Sequence, residues 1–332
     1  MNLPSAFVKR IHEQFANSAD EFIDSLQREP ITSIRYNRAK TNKVESHPIP
    51  WANDAYFLEK RPLFTLDPLF HAGHYYVQEA SSMLIEQVFK QYLNTDSAMR
   101  ILDICAAPGG KSTHIMSLMN EHSYLVSNEI ISNRSNILME NVIKWGTGNA
   151  LVTNSDPARF SFLQNHFDLI LIDAPCSGEG KKKKNPEACN EWSENNCQIC
   201  VKRQKQIFGQ MWNCLKEGGI IIYSTCTFNP EENEKNLAAL QEEYDFDVLT
   251  LDLPKAWNIH EVQYQQIRGY QFLPHQSNGE GFYLSVIQKR GTHAQREGKV
   301  KTRNHAFKSF LREASIEKFD VKNVHNKNEK SI

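Results

Sequence analysis

Two cysteines near the middle of the chain occupy similar settings. Cys176 lies in Asp173-Ala174-Pro175-Cys176-Ser177-Gly178-Glu179-Gly180, and Cys226 lies in Ser224-Thr225-Cys226-Thr227. Each follows an apolar, strand-like run, at 167–172 and 219–224. Buried cysteine is common and usually inert. Two at matching strand ends, with Asp173 close by, suit nucleophilic chemistry instead. A thiol attacks only as its thiolate, so such a site must make one of the two sulfurs easier to ionise.

A third stretch supplies a place for a ligand. Asp103-Ile104-Cys105-Ala106-Ala107-Pro108-Gly109-Gly110-Lys111-Ser112-Thr113 follows the apolar run Ile101-Leu102 and leads into His114-Ile115-Met116-Ser117-Leu118-Met119. This reads as strand, glycine turn and helix start. Glycine lets a ligand approach the backbone, and helix-start amides favour electron-rich groups. A phosphate loop needs G-x-x-x-x-G-K-[ST], but Cys105 stands in place of the first glycine. The dinucleotide pattern G-x-G-x-x-G is absent. The turn alone therefore indicates a nucleotide-like ligand or a purely structural bend. Further strand ends carry Glu129, which suits ribose hydroxyls or a helix N-terminus, and Asp156, which suits an adenine amine or a helix cap.

These residues need a scaffold that brings strand ends together. Strand-like runs at 100–105, 124–128, 150–153, 167–172 and 219–224 alternate with helical stretches near 112–120, 132–145 and 198–216. That alternation predicts an α/β fold, a doubly wound and mostly parallel sheet with helices on both faces. Segments 245–251 and 281–288 are expected as two edge strands, and 83–92 as a helix. Residues 1 to about 70 read as a separate small α/β unit, with helices around 6–11 and 21–26 and a strand at 30–37. Arg35, Lys40 and Lys43 put positive charge there, as solvated surface or as a nucleic-acid contact. Tyr75 and Tyr76 are expected in the core, with a base- or ligand-flanking role as the alternative.

The segment 291–332 is a polar tail. From residue 290 onward there are eleven Lys or Arg against five Asp or Glu, and a helix is plausible around 306–318. The tail suits a basic arm that attracts phosphates or a solvated end. The chain has 332 residues, 40% of them hydrophobic and 23% charged, with a formal net charge of -1. No global field attracts nucleic acid, so any basic surface is local. No apolar run of spanning length and no signal-peptide core follows Lys9 and Arg10, so a cytoplasmic protein without membrane contact is expected. The seven cysteines are then expected to be reduced. Cys189, Cys197, Cys200 and Cys214 include one Cys-x-x-Cys pair, on a helix and without a second knuckle, so no metal site is expected. A monomer is the default.

The motifs resemble those of the Sun-type (NSUN) RNA cytosine-5 methyltransferases, most of all the bacterial RsmF-like ribosomal RNA branch. The resemblance is carried by Cys105–Lys111, Asp173–Gly180 and Ser224–Thr227. Tyr75-Tyr-Val-Gln-Glu-Ala-Ser-Ser82 and Gly279-Glu-Gly-Phe282 add to it. It runs from about Leu3 to Arg290. It implies a Rossmann-like class I methyltransferase domain at 71–290, with the 1–70 unit contacting RNA. It implies that Cys105, Ala106, Ala107, Pro108, Gly109, Gly110 and Lys111 cradle S-adenosylmethionine, with Glu129 at the ribose, Asp156 at the adenine and Asp173 beside cofactor and base. It also implies Cys226 as the nucleophile and Cys176 as the residue assisting product release. The substrate would be RNA, with ribosomal (16S) RNA the first expectation; transfer RNA as the substrate, and a ribosome assembly factor with dispensable catalysis, are the alternatives. Lys181-Lys182-Lys183-Lys184 departs from the family, which usually has apolar residues before a basic one. Lys183 and Lys184 stand where the family has basic residues and are expected either to contact phosphate or to lie in a solvated loop, while Lys181 and Lys182 replace apolar packing.

Overall fold

The computed structural model describes residues 3–180, 192–291 and the backbone of 321–322. The N-terminal helices are α1 (Ser5–Phe15) and α2 (Ala19–Ser25). A small antiparallel sheet follows, built from β1 (Ser33–Tyr36), β2 (His47–Pro48), β3 (Ala55–Phe57) and β4 (Tyr75–Val77) in the order β2-β3-β1-β4. A one-turn helix, α3 (Pro68–His71), precedes β4, and α4 (Ile85–Tyr92) leads into the main domain.

The main domain contains β5 (Arg100–Asp103), α5 (Gly110–Leu118), β6 (Tyr124–Asn128), α6 (Ser132–Trp145), β7 (Ala150–Thr153) and β8 (Phe167–Asp173). It continues with α7 (Glu194–Trp212), β9 (Leu215–Thr225), α8 (Glu234–Gln241), β10 (Phe246–Leu249), β11 (His260–Tyr264), β12 (Ile267–Phe272) and β13 (Phe282–Lys289); β14 (Val321–Lys322) adds to the β7 edge. The sheet order is β11-β12-β13-β9-β8-β5-β6-β7-β14, with β10 also on β13. Its centre, β7-β6-β5-β8-β9, is parallel.

Side-chain alternation explains why both faces are covered. Leu169 and Leu171 enter one core with Ile101, Leu125 and Ile222, while Ile170 and Ile172 enter the other with Leu102, Val126 and Ile221. Successive strand residues point to opposite faces, so a continuous apolar run feeds two cores. Leu138, Val142 and Trp145 give α6 its buried stripe, and Gly146 at φ +91° ends the helix.

Four expectations need correction. The small unit extends past residue 70, because Tyr75–Val77 pairs with β1. It is not one body either: α1 and α2 leave its sheet and pack on Trp192, Cys197, Phe228 and Leu273 of the main domain. The strand expected at 281–288 is interior, since β13 pairs with β9 on one side and with β12 and β10 on the other. The hairpin β11–β12 and helix α8 have no counterpart in the sequence reading. The expected helix at 306–318 lies outside the described residues. Among the described residues no helix is long and apolar enough to cross a membrane.

Candidate active site

β5 and β8 are neighbours, yet the chain leaves β5 toward β6 and β7 on one side and resumes with β8 on the other. The carboxyl ends of such a pair open a crevice, where open α/β sheets bind ligands. Asp103 ends β5, Asp173 ends β8, and Cys226 directly follows β9.

On the β5 side, Gly109 starts α5 at φ +110°, a conformation L side chains rarely adopt, and a Cβ there would lie 3.1 Å from Leu138 Cδ1. A Cβ on Gly110 would meet the Tyr76 ring at 3.3 Å. The loop carbonyls are held from α6: Arg134 Nη2 donates to Ala107 O at 2.9 Å and Asn141 Nδ2 to Pro108 O at 2.7 Å. Ala106 N donates to Asn128 O at 2.8 Å. The first-turn amides of α5, which no helix carbonyl can take, remain as the loop's donors.

Charge gathers at the strand ends. Asp103 is fully buried; its Oδ2 accepts from Ser112 Oγ at 2.7 Å, while Oδ1 has no partner among the described residues. Burial, reinforced by nearby Asp173 and opposed by the Ser112 bond, pushes its carboxyl up to about 7. Asp173 accepts from Lys111 Nζ at 2.9 Å and from Ser224 Oγ at 2.8 Å. Burial works against the Lys111 ammonium, but Asp173 outweighs it and holds the group above the ordinary lysine range; Asp103 and Cys226 act in the same direction.

The Cys176 and Cys226 sulfurs lie 3.3 Å apart, and Cys226 N donates to the Cys176 sulfur at 3.4 Å. The Cys226 contact, together with burial, pushes the Cys176 thiol well above its ordinary range.

Buried carboxylates hold the two cysteine loops. Glu232 accepts from Ser177 N at 2.8 Å and Ser177 Oγ at 2.5 Å, beside Cys176, and from Thr227 Oγ1 at 3.4 Å, beside Cys226. Asn233 spans Cys226, taking Thr225 Oγ1 at 2.6 Å and donating to Thr227 O at 3.0 Å. Glu179 accepts from Phe228 N at 3.1 Å, and Gly180 N donates to Cys226 O at 2.9 Å. The sequence reading assigned no role to Glu179, Glu232 or Asn233. The signal was present in Asn229-Pro230-Glu231-Glu232-Asn233, a polar run directly after the Thr-Cys-Thr motif.

The remaining expected residues fall as follows. Cys105 is half-buried, and burial with Asp103 and Asp173 pushes its thiol far up, so it lines the loop as a neutral group. Glu129 is buried; Oε1 accepts from Ile131 N at 3.0 Å at the start of α6, and Oε2 lies 3.3 Å from Arg134 Nη1. Asp156 is exposed and caps a 3-10 turn through Ala158 N at 2.8 Å. Tyr75 is buried and donates to Asp67 Oδ2 at 2.6 Å, whereas Tyr76 reaches Pro108 O at 3.3 Å. Lys183 and Lys184 lie outside the described residues.

Arg35 corrects the expectation of a nucleic-acid contact. It is 1% exposed and stacks on Trp145 at 4.3 Å. It donates to Gln78 Oε1 at 3.0 Å, Ser117 Oγ at 3.1 Å and Thr113 Oγ1 at 2.8 Å. Its guanidinium therefore fastens the small sheet to α5, directly behind the glycine turn. Burial lowers its pKa to about 9.

Residues 90–288 match the model of the 16S rRNA methyltransferase RsmB/F family, and residues 3–80 match the N-terminal domain of 16S rRNA methyltransferase RsmF. Ribosomal RNA small subunit methyltransferase F of Vibrio campbellii is 32% identical over 306 residues, covering 86% of this chain and 63% of that protein. The Vibrio parahaemolyticus protein of the same name is 31% identical, covering 98% and 70%. The chain thus spans a little under two thirds of the first relative's length. Among solved structures, a methyltransferase homologue from Pyrococcus horikoshii aligns with TM-score 0.71 at 24% identity, covering 86% of this chain and 95% of that one. NSun6 from the same organism, solved with SFG, aligns with TM-score 0.74 at 18% identity, covering 87% and 99%. With one family model matching residues 90–288 and a 31% identical relative aligned over 98% of this chain, the chain belongs to the 16S rRNA methyltransferase RsmB/F family.

Proposed function

We propose that this chain transfers a methyl group from S-adenosylmethionine to C5 of a cytosine in small-subunit ribosomal RNA, through a covalent bond from Cys226 to C6. The observation that carries the reading is the pair of sulfurs 3.3 Å apart at the ends of β8 and β9, facing a glycine turn across the Lys111–Asp173 ion pair. The crevice fits a cationic ligand: Asp103, Asp173 and Glu129 gather at three strand ends, and one Asp103 oxygen is buried without a partner among the described residues. When bound, S-adenosylmethionine supplies an electrophilic methyl group on a sulfonium. Residues 105–111 would hold it, with Glu129 toward the ribose and Asp156 toward the adenine.

The chain's own residues then divide the work. C5 of cytosine is a poor nucleophile until a thiolate adds at C6 and turns the ring into an enamine. The contact with the Cys176 sulfur and the nearby Lys111 ammonium favour Cys226 as the sulfur that ionises. Both Asp173 oxygens already accept hydrogen bonds, so the proton that N3 of the base takes up comes from the Lys111–Asp173 pair as a unit. Once Cys226 is a thioether, the contact that most raises Cys176 is gone. Cys176, or a water it orients, then removes the C5 proton so that Cys226 can leave. The target base must leave any stack to expose both faces, which is cheapest in single-stranded or loop RNA.

The test is methyl transfer from labelled S-adenosylmethionine to naked ribosomal RNA, small subunits and transfer RNA, with the nucleoside identified by mass. 5-Methylcytosine in ribosomal RNA is expected, and its appearance only in transfer RNA would move the substrate. Cys226→Ala is expected to abolish turnover. Cys176→Ala is expected to accumulate a covalent RNA adduct on denaturing gels. Full activity of Cys226→Ala would sink the mechanism.

A further inference from the structure

Phe228 stands two residues after Cys226, and its carbonyl is held from α1. Gln14 Nε2 donates to Phe228 O at 2.8 Å, while Phe228 N donates to Glu179 Oε2 at 3.1 Å. The other Glu179 oxygen accepts from Arg10 Nη2 at 2.5 Å and from Trp192 Nε1 at 2.8 Å. Arg10 Nη1 also donates to Gln14 Oε1 at 2.7 Å, which orients that amide. Glu179 is 0% exposed, so its charge needs a buried partner, and the only cation bonded to it among the described residues is Arg10.

The docking of α1 does not itself depend on these polar groups. Phe7 and Ile11 lie fully buried against Trp192, Phe228 and Leu273, and the Phe7 and Trp192 rings meet edge-on at 5.5 Å. Arg10 and Gln14 therefore do something the apolar face does not: they hold the peptide groups on either side of Phe228 in the Cys226 loop, Gln14 directly and Arg10 through Glu179. Gly180, next to Glu179, binds the Cys226 carbonyl at 2.9 Å, so the same network reaches the nucleophile's own backbone.

We propose that Arg10, with Gln14, is a positioning residue for Cys226: it neutralises Glu179 and, through it, sets where the sulfur stands. The inference rests on the reading of Cys226 as nucleophile, so two readouts on the full chain are needed. One is methyl transfer to small ribosomal subunits, resolved into kcat and KM. The other is the rate of Cys226 alkylation by iodoacetamide without RNA, measured by peptide mass. R10M is expected to lower kcat about 10- to 100-fold, the scale of a misplacement near 1 Å, with KM for S-adenosylmethionine unchanged. Cys226 alkylation is expected to change by about threefold or more. R10K should restore most of both, and R10M/E179Q should recover part by removing the unpaired buried charge.

Wild-type kcat and alkylation in R10M would overturn the proposal. So would losses in both readouts that neither R10K nor R10M/E179Q relieves and that follow the drop in melting temperature. If R10M does not fold, Q14L carries the same test without stranding a charge. If wild-type protein methylates no RNA, the reading of Cys226 fails on its own, while the alkylation rates still decide the positioning role.

Discussion

The glycine turn after β5 and the two cysteine loops after β8 and β9 face each other across one crevice but are held by different means. The turn is local: eleven consecutive residues, Asp103–Thr113, make strand, bend and helix start, and neighbouring side chains bind its carbonyls. The cysteine loops are joined from distant parts of the chain. Glu232 reaches back 55 positions to Ser177, and Arg10 reaches 169 positions to Glu179. A turn made of backbone geometry presents amides to a ligand at little ordering cost. Two sulfurs that must sit 3.3 Å apart need side chains whose own places are fixed by burial. The glycine-turn side is thus set by conformation, and the cysteine side by buried charge.

The contrast breaks most sharply at Glu232. Glu232→Ala leaves the Ser177 amide and hydroxyl without their buried acceptor, and should cost about 3 kcal/mol in denaturant melts. Turnover should fall about 100-fold or more while cofactor affinity holds. Equal losses in both would mean that the two sides are one unit. A smaller effect is expected at Gly109→Ala, where a side chain meets φ +110° and Leu138. Strain of about 1–2 kcal/mol should weaken cofactor binding by about tenfold, with Cys226 alkylation unchanged. Titration calorimetry beside peptide mass separates the two.

The smallest effect concerns pH. The Asp103 carboxyl sits at about 7 in the folded chain against 3.8 for the free group. Between those values the folded state holds a proton that the unfolded state releases. That contribution to stability is complete below pH 3.8 and is lost as pH rises through about 7. Asp103→Asn cannot titrate, so wild-type protein should lose stability relative to the variant across that window. Parallel melting curves would remove Asp103 as the titrating group.

The same contrast decides what could be read in the sequence. The glycine turn and the strands behind it were legible because apolar runs and glycine act over a few residues. Cys176 and Cys226 were legible as strand-end thiols. Glu179 and Glu232 were not, because a buried carboxylate looks like any surface glutamate until its donors are known. Arg35 misled for the same reason: its charge suggested solvent or phosphate, but Trp145 and Thr113 enclose it. Pairing patterns were equally hidden, so 281–288 read as an edge although β9 and β12 flank it.

The reach of α1 also has a consequence in time. Gln14 must wait for Phe228, 214 positions later, and at about 5–20 residues per second synthesis needs roughly 10–40 s to supply it. Phe7, Ile11 and Phe22 have no finished surface to cover them during that interval, since Phe228 and Leu273 are among the last parts of their core to be made. Helix α1 is thus made long before the surface it docks on is complete. Its arrival completes the support of the cysteine loop, so a half-made chain carries no assembled thiol pair.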